Sequence, residues 1–429
     1  MIAKFRQREY ASAQGLALAK TSLGKINLSC FCFFVVAMVT ALIVGCATTS
    51  QTTAQAPQQP DLEPYQLERR IVRLKEMVRE KERSAGLQDS SNKDYILENM
   101  LLAKTAFDAH EWPTAKKCLK RVIDFYDVYT EQQKKAGSAS LAEKEIHRFF
   151  RGEPFERSFV FFYYGLVHLI ESDAQEGGRS FYSAIAADAA FSEAFSHDNA
   201  LFYYFLGVAY LEKDDFGNAS GAFQNCERLM REQGNPLTSS QRKALGFSWD
   251  EVVTPDAIQN AHKPNVILLV ELGYSPNKAV GGTQNQHWRY YSLPSRAKSA
   301  RIKVNDHELG EAVGLCDTVF QASTSGRASD KVALQEVKAF AKSAAIFIPY
   351  GGGFVSTLWE VEGDKRTWAN LPQYLQVYGF SSDNQNLEIE IEFLDGQGNP
   401  LRNLSQSIQT QIDPKRLNVI TTKFYETRQ

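Results

Sequence analysis

The sequence predicts an α+β multidomain protein: an N-terminal α-helical repeat array, then a β-rich, sandwich-like domain with one inserted helix. Three observations carry this expectation. Between Lys93 and about Arg231 apolar residues recur three and four apart, the spacing of a helix face, and a similar order of anchor residues returns more than once. The pattern changes after Gly234-Asn235-Pro236. Further on, Leu387-Glu388-Ile389-Glu390-Ile391-Glu392-Phe393 alternates strictly, which gives a strand one apolar and one acidic face. The expected bounds are residues 1–45 for a leader, 46–60 for a tether, 61–250 for the helices and 260–429 for the β-rich part.

In the leader Lys4, Arg6, Arg8, Lys20 and Lys25 are basic and Glu9 alone is acidic. From Leu28 to Gly45 the chain is nearly all apolar. Basic segment, apolar segment and small-residue cleavage site together make an export signal. Ile43-Val44-Gly45-Cys46 resembles a bacterial lipobox, which implies that Cys46 receives lipid. A retained membrane helix is the competing reading, but the abrupt change to Ala47-Thr48-Thr49-Ser50-Gln51 favours cleavage. The basic leader exceeds the usual length of about 15–30 residues; a true start nearer Lys20 would account for that. Several acyl chains at Cys46 would anchor the protein stably, whereas one chain binds only reversibly. Ala47, not Asp, follows the cysteine, which points to the periplasmic face of the outer membrane.

The whole chain carries 48 Lys plus Arg against 50 Asp plus Glu. Without the leader's five bases and one acid the net charge is −6. An acidic balance with no basic stripe argues against nucleic acid as a ligand. It argues equally against electrostatic adhesion to an anionic membrane, so the covalent lipid must do the anchoring. Outside the leader and Cys46, three cysteines remain: Cys118, Cys226 and Cys316. Their odd number and wide spacing suggest neither a disulfide framework nor a zinc site. Each is expected to be a small buried apolar residue.

Residues 47–60, rich in Thr, Ser, Gln, Ala and Pro, read as a flexible tether. A charged helix follows, with Leu67, Ile71, Leu74 and Val78 on one face, expected to pack on the next elements and to end at Gly86 and the Asp89-Ser90-Ser91-Asn92 cluster. The clearest later unit holds Tyr203, Leu206, Gly207, Tyr210, Ala219, Phe223 and Cys226. It resembles the tetratricopeptide (TPR) pattern, in which a glycine lets two helices approach, an alanine sits at their crossing and aromatics fill the wedge. The acidic turn Glu212-Lys213-Asp214-Asp215 falls where the two helices join. A second unit aligns through Phe161, Tyr164, Gly165, His168, Gly177, Phe181 and Ala184. A weaker third aligns through Asn99, Leu102, Ala103, Ala106, Ala115, Leu119 and Val122. Anchors 103, 165 and 207 lie 62 and 42 apart, so extra turns or helices intervene between units. A generic helical bundle stays open as an alternative. The runs Phe159 to Tyr164 and Leu201 to Phe205 are too aromatic for every ring to face a core. Tyr163 and Tyr204 are therefore the candidate partner-binding residues, expected at the groove of the array, where a phenol tolerates partial exposure.

Strands are expected at Val266 to Leu272, Arg301 to Asn305, Ile346 to Pro349, Tyr374 to Phe380, Leu387 to Phe393 and Asn418 to Tyr425. A helix with Leu334, Val337, Ala341 and Ala344 on one face interrupts them. Gly351-Gly352-Gly353 lacks the rest of a phosphate loop and reads as a strand-end turn. His287-Trp288-Arg289-Tyr290-Tyr291 reads as a loop packed on the sheet. The seven histidines are scattered, and no cofactor or metal is expected.

Three further segments stand out: Gly152-Glu153-Pro154-Phe155-Glu156, Val270-Glu271-Leu272-Gly273-Tyr274-Ser275-Pro276, and Asp364 to Pro372 with its buried-type Trp368. Together they resemble a family of uncharacterised bacterial TPR-containing lipoproteins with a C-terminal β-rich domain. The resemblance implies no catalytic residue and no small-molecule cofactor. It implies a non-enzymatic adaptor binding envelope proteins, with cell-wall synthesis machinery as the associated partner. A glycan-processing hydrolase built on Glu360, Asp364 and Arg366 is the competing class, and a passive envelope spacer is a third.

Overall fold

The computed structural model describes residues 64–83, 93–136, 150–188, 197–246, 254–260, 263–281, 287–324 and 366–424, all within one compact unit that spans 56–429. The order is helices first, then curled sheets. The leader, Cys46, the tether and the turn at 86–92 lie outside the described residues. So do His147, His262, the expected helix around Leu334 to Ala344, the strand Ile346 to Pro349, Gly351 to Gly353, Glu360 and Asp364.

Helix α1 (Pro64–Arg83) buries Ile71, Leu74 and Val78 and packs on α2. Three hairpins follow: α2 (Tyr95–Asp108) with α3 (Trp112–Ala136), α4 (Pro154–Ile170) with α5 (Ala174–Ala187), and α6 (Ala200–Leu211) with α7 (Phe216–Glu232). Their turns are built alike. The first helix ends with a left-handed residue, His110, Ser172 or Asp214, each seven positions after its anchor. The next amide reaches back five residues, from Glu111 to Ala106, from Asp173 to His168 and from Asp215 to Tyr210, satisfying a carbonyl that the helix end leaves open. Asp173 and Asp215 then accept backbone amides as N-caps. Within the hairpins small residues set the spacing. A Cβ on Gly165 would stand 2.7 Å from the Phe181 ring, and one on Gly207 only 2.5 Å from Phe223. Ala115, Gly177 and Ala219 occupy the crossing point, twelve residues after each anchor.

Two short helices, α8 (Ser239–Ala244) and α9 (Pro255–Asn260), lead to the sheets. The strands are β1 (Val266–Leu272), β2 (Asn277–Gly281), β3 (His287–Tyr291), β4 (Ser299–Val304), β5 (His307–Glu311) and β6 (Val313–Asp317). After α10 (Thr318–Thr324) come β7 (Tyr374–Phe380), β8 (Asn386–Leu394), β9 (Pro400–Gln411) and β10 (Asn418–Lys423). One sheet runs β10-β1-β7-β6, with β1 and β10 parallel. The other, antiparallel throughout, runs β5-β4-β8-β9, and β2 pairs with β3 apart from both. All seven residues of β1 are buried, which fits its unbroken apolar run. Strand β8 alternates as expected, and its outward Glu392 meets Arg301 at 3.0 Å. Gln376 of β7 joins the sheets: it donates to the Lys298 carbonyl and accepts from the Ala300 amide.

Residues 287–291, expected as a loop, are strand β3. Five aromatic or long side chains in a row satisfy a strand once β2 lies alongside to accept their backbone bonds.

Candidate functional site

The three distinctive segments, far apart in sequence, meet where the helices touch the sheets. Gly152, in a left-handed conformation, delivers the chain into α4, whose fully buried Glu156 sits in the first turn. One oxygen of Glu156 accepts from the Glu153 amide at 2.7 Å. The other accepts from the Trp368 amide at 2.6 Å and the Thr367 hydroxyl at 2.9 Å. Burial raises the Glu156 carboxyl above its ordinary range, and those backbone donors oppose the rise. The Ser275 hydroxyl donates to the Trp368 carbonyl at 2.8 Å, and the Gln373 amide to the Leu272 carbonyl at 2.9 Å. All three segments are thereby tied to one another.

Beside them lies a closed set of charges. Lys104 of α2 pairs with Asp108 one turn on and, at 2.7 Å, with Glu271 of β1. Glu271 also accepts from the Tyr163 hydroxyl of α4 at 2.8 Å. From β10, Lys423 reaches Asp108 at 3.4 Å and donates to the Asn370 carbonyl at 2.9 Å. The Asn370 amide donates in turn to the Leu101 carbonyl and the Thr105 hydroxyl. Two cations thus face two anions, drawn from α2, β1 and β10. Burial works against the charge on Lys104, yet Asp108 and Glu271 outweigh it and its affinity for a proton rises. For Lys423 burial prevails and the ammonium is held below its ordinary range. A second buried pair, Lys278 with Glu153 at 3.2 Å, flanks the set.

The arrangement holds elements together. Lys104, Glu271 and Tyr163 are at most 1% exposed and Trp368 is 0% exposed, so a substrate has no approach to these atoms as they stand. Arg366, the described member of the hydrolase trio, pairs with Asp94 at 2.7 Å and lies over the Phe150 ring. Among the described residues no group of His, Cys, Asp or Glu has the arrangement of a metal site. Cys118, Cys226 and Cys316 form no disulfide among the described residues and are buried, as expected.

Tyr163 and Tyr204 are not at an open groove. They are 1% and 0% exposed. Tyr204 donates to the Leu245 carbonyl at 2.9 Å, as Tyr163 does to Glu271. The reason is that the chain's own later segments cover this side of α4 and α6, so each phenol finds its partner inside the molecule. Partner contact through these two rings is withdrawn.

The sequence reading missed Lys104, Asp108 and Lys423, and named Glu271 and Asn370 only as members of distinctive segments, without reading the charge of the one or the bonding of the other. A signal existed: Lys104 stands in Leu-Leu-Ala-Lys-Thr-Ala-Phe and Glu271 in Val-Ile-Leu-Leu-Val-Glu-Leu. A lone charge inside a segment that must be buried needs a buried partner of opposite sign.

Comparison with protein-family models, with curated proteins and with solved structures finds no match to this chain.

Proposed function

We propose that the protein is a lipid-anchored bacterial envelope lipoprotein, held by Cys46 and facing the periplasm at the outer membrane, that acts as a non-enzymatic adaptor. In this reading the three hairpins are a TPR-like array and the β-rich part is its fixed companion. The repeated hairpin turn carries the proposal, since equivalent turns at equivalent positions after each anchor are what a tandem array requires. The lipobox supports the address. No helix among the described residues is long and apolar enough to cross a membrane.

Because later segments of the chain cover the side bearing Tyr163 and Tyr204, envelope partners, cell-wall synthesis machinery among them, dock on the outward side of the hairpins. There Tyr182 of α5 is 65% exposed. Burial raises the hydroxyls of the half-buried Tyr203 and Tyr210, and nearby Tyr182 adds to both, so the three rings form one neighbourhood. Exposed tyrosines give large contact area at small entropic cost.

The test is affinity purification from detergent-solubilised envelopes with the whole chain, wild type against Tyr182→Ala and Cys46→Ser. The expected result is one enriched envelope complex, lost or weakened at least fivefold with Tyr182→Ala, and release of Cys46→Ser from the membrane fraction. Equal enrichment by wild type and Tyr182→Ala would remove the tyrosine surface. No specific enrichment by the wild type would remove the adaptor.

A further inference from the structure

An open strand edge is a template for another strand, and folds ordinarily block it with charge, brevity, a bulge or a covering element. Among the described residues the two larger sheets have four edges, and three carry such a block. Helices α2 and α4 lie against β10, and the His110 ring reaches the Thr421 carbonyl at 3.3 Å. Strand β6 has five residues, a bulge opposite β7 and α6 beside it. Strand β5 also has five residues, a bulge opposite β4, and two carboxylates, Glu308 and Glu311. Strand β9 differs from all three. It runs for twelve residues, and its register with β8 is unbroken from Ser405 to Gln411. From Asn403 to Gln411 it holds neither charge nor proline, and among the described residues it pairs with β8 alone. We propose that β9 pairs antiparallel with the β9 of a second copy of this chain, about a two-fold axis at Gln406. The sheet β5-β4-β8-β9 then continues into its counterpart. The inference does not rest on the adaptor reading.

The chemistry of the strand selects its own copy. A charged strand folded back on itself brings like charges together, which is destabilising; this stretch has none to bring. Serine hydroxyls and glutamine amides both donate and accept, so each complements itself. The faces of the strand set the register. Half-buried Leu404, Gln406, Ile408 and Thr410 alternate with exposed Ser405, Ser407, Gln409 and Gln411. Leu404 and Ile408 pack on the core yet stay partly uncovered. Centred on Gln406, the pairing sets Leu404 of each copy opposite Ile408 of the other, and Ser405 opposite Ser407. Both apolar side chains then gain cover. Moving the axis to Ser407 would set Ile408 opposite Gln406 and lose that match. Each contact occurs twice, as a two-fold interface requires. The acidic face of neighbouring β8 does not oppose the approach, because Lys303 matches Glu390 at 3.5 Å and Arg301 matches Glu392 at 3.0 Å.

The experiment is sedimentation equilibrium of the whole chain in density-matched detergent over a concentration series. A monomer–dimer equilibrium is expected. Ser405→Lys combined with Ser407→Lys, both on the exposed face, sets ammonium opposite ammonium twice across the axis. This variant is expected to weaken dimerisation at least tenfold, with its circular dichroism and thermal midpoint showing the fold retained. Cysteine cross-linking reads the register independently of the lysine variant. Ser405→Cys mixed with Ser407→Cys is expected to form a disulfide-linked dimer at least fivefold faster than either variant alone. In the mixed pair the two positions are opposed; in the unmixed pairs they lie on a diagonal about 7–8 Å long, at the limit a disulfide tolerates. A monomer throughout the series would overturn the proposal and leave the edge to a strand of another protein. A dimer indifferent to the paired lysines, or equal cross-linking in mixed and unmixed samples, would overturn it as well.

Discussion

Asp188 and Glu271 carry buried carboxylates in opposite ways. Glu271 meets Lys104 and the Tyr163 hydroxyl, so its charge is compensated on both oxygens. Among the described residues Asp188 has no cation; burial, and then the neighbouring Asp198, push its carboxyl up to about 8. The sign of the linkage follows from that rise. In the unfolded chain Asp188 ionises near the ordinary value of 3.8, while in the fold it keeps its proton until about 8. Its contribution to stability is therefore full below the unfolded value and is lost as pH rises through that interval. Asp188→Asn removes this group's share of the slope. The variant should gain stability relative to wild type as pH rises from 4 to 8, by at most about 1.4 kcal/mol per pH unit. Urea unfolding across that range checks it, and parallel wild-type and variant curves would contradict the assignment.

At the scale of the element, the hairpins are set by close approach at small residues. Adding a methyl at Gly207 drives it into the Phe223 ring, so Gly207→Ala should cost about 1–3 kcal/mol through overpacking. Gly221, exposed within α7, has nothing within 4 Å of an added Cβ. Gly221→Ala should instead stabilise by about 0.5–1 kcal/mol, since it only removes backbone freedom from the unfolded chain. Thermal unfolding of the two variants checks the contrast in sign. These helices were legible because glycine, alanine and aromatic residues recur at fixed offsets. Strands β1, β7 and β8 were legible from apolar runs and alternation. Strand β9, Pro-Leu-Arg-Asn-Leu-Ser-Gln-Ser-Ile-Gln-Thr-Gln, was not: it is an edge strand rich in Ser and Gln, held by its register with β8 and by Leu401, Leu404 and Ile408, which are only partly buried against the core. The candidate rings Tyr163 and Tyr204 were misplaced for a related reason. A helix face can be read as apolar or aromatic from sequence, but what covers it depends on contacts between distant residues.

At the scale of the whole molecule, helices and sheets share one hydrophobic core and the buried charges that bridge them. The three segments that stood out in the sequence all lie at this seam, so their distinctiveness reflects the demands of joining two kinds of layer. In the proposed adaptor role a partner would meet a preassembled surface, which lowers the ordering cost of binding. Lys104 on α2 and Glu271 on β1 act as one unit across the seam. A double-mutant cycle with Lys104→Met and Glu271→Met, read by urea unfolding, tests it most directly. Each single variant leaves an uncompensated buried charge and should cost about 3–5 kcal/mol. The double variant should cost less than the two together, by about 0.5–3 kcal/mol. Strict additivity would contradict the account, because it would mean that the helices and the sheets do not depend on each other through these charges.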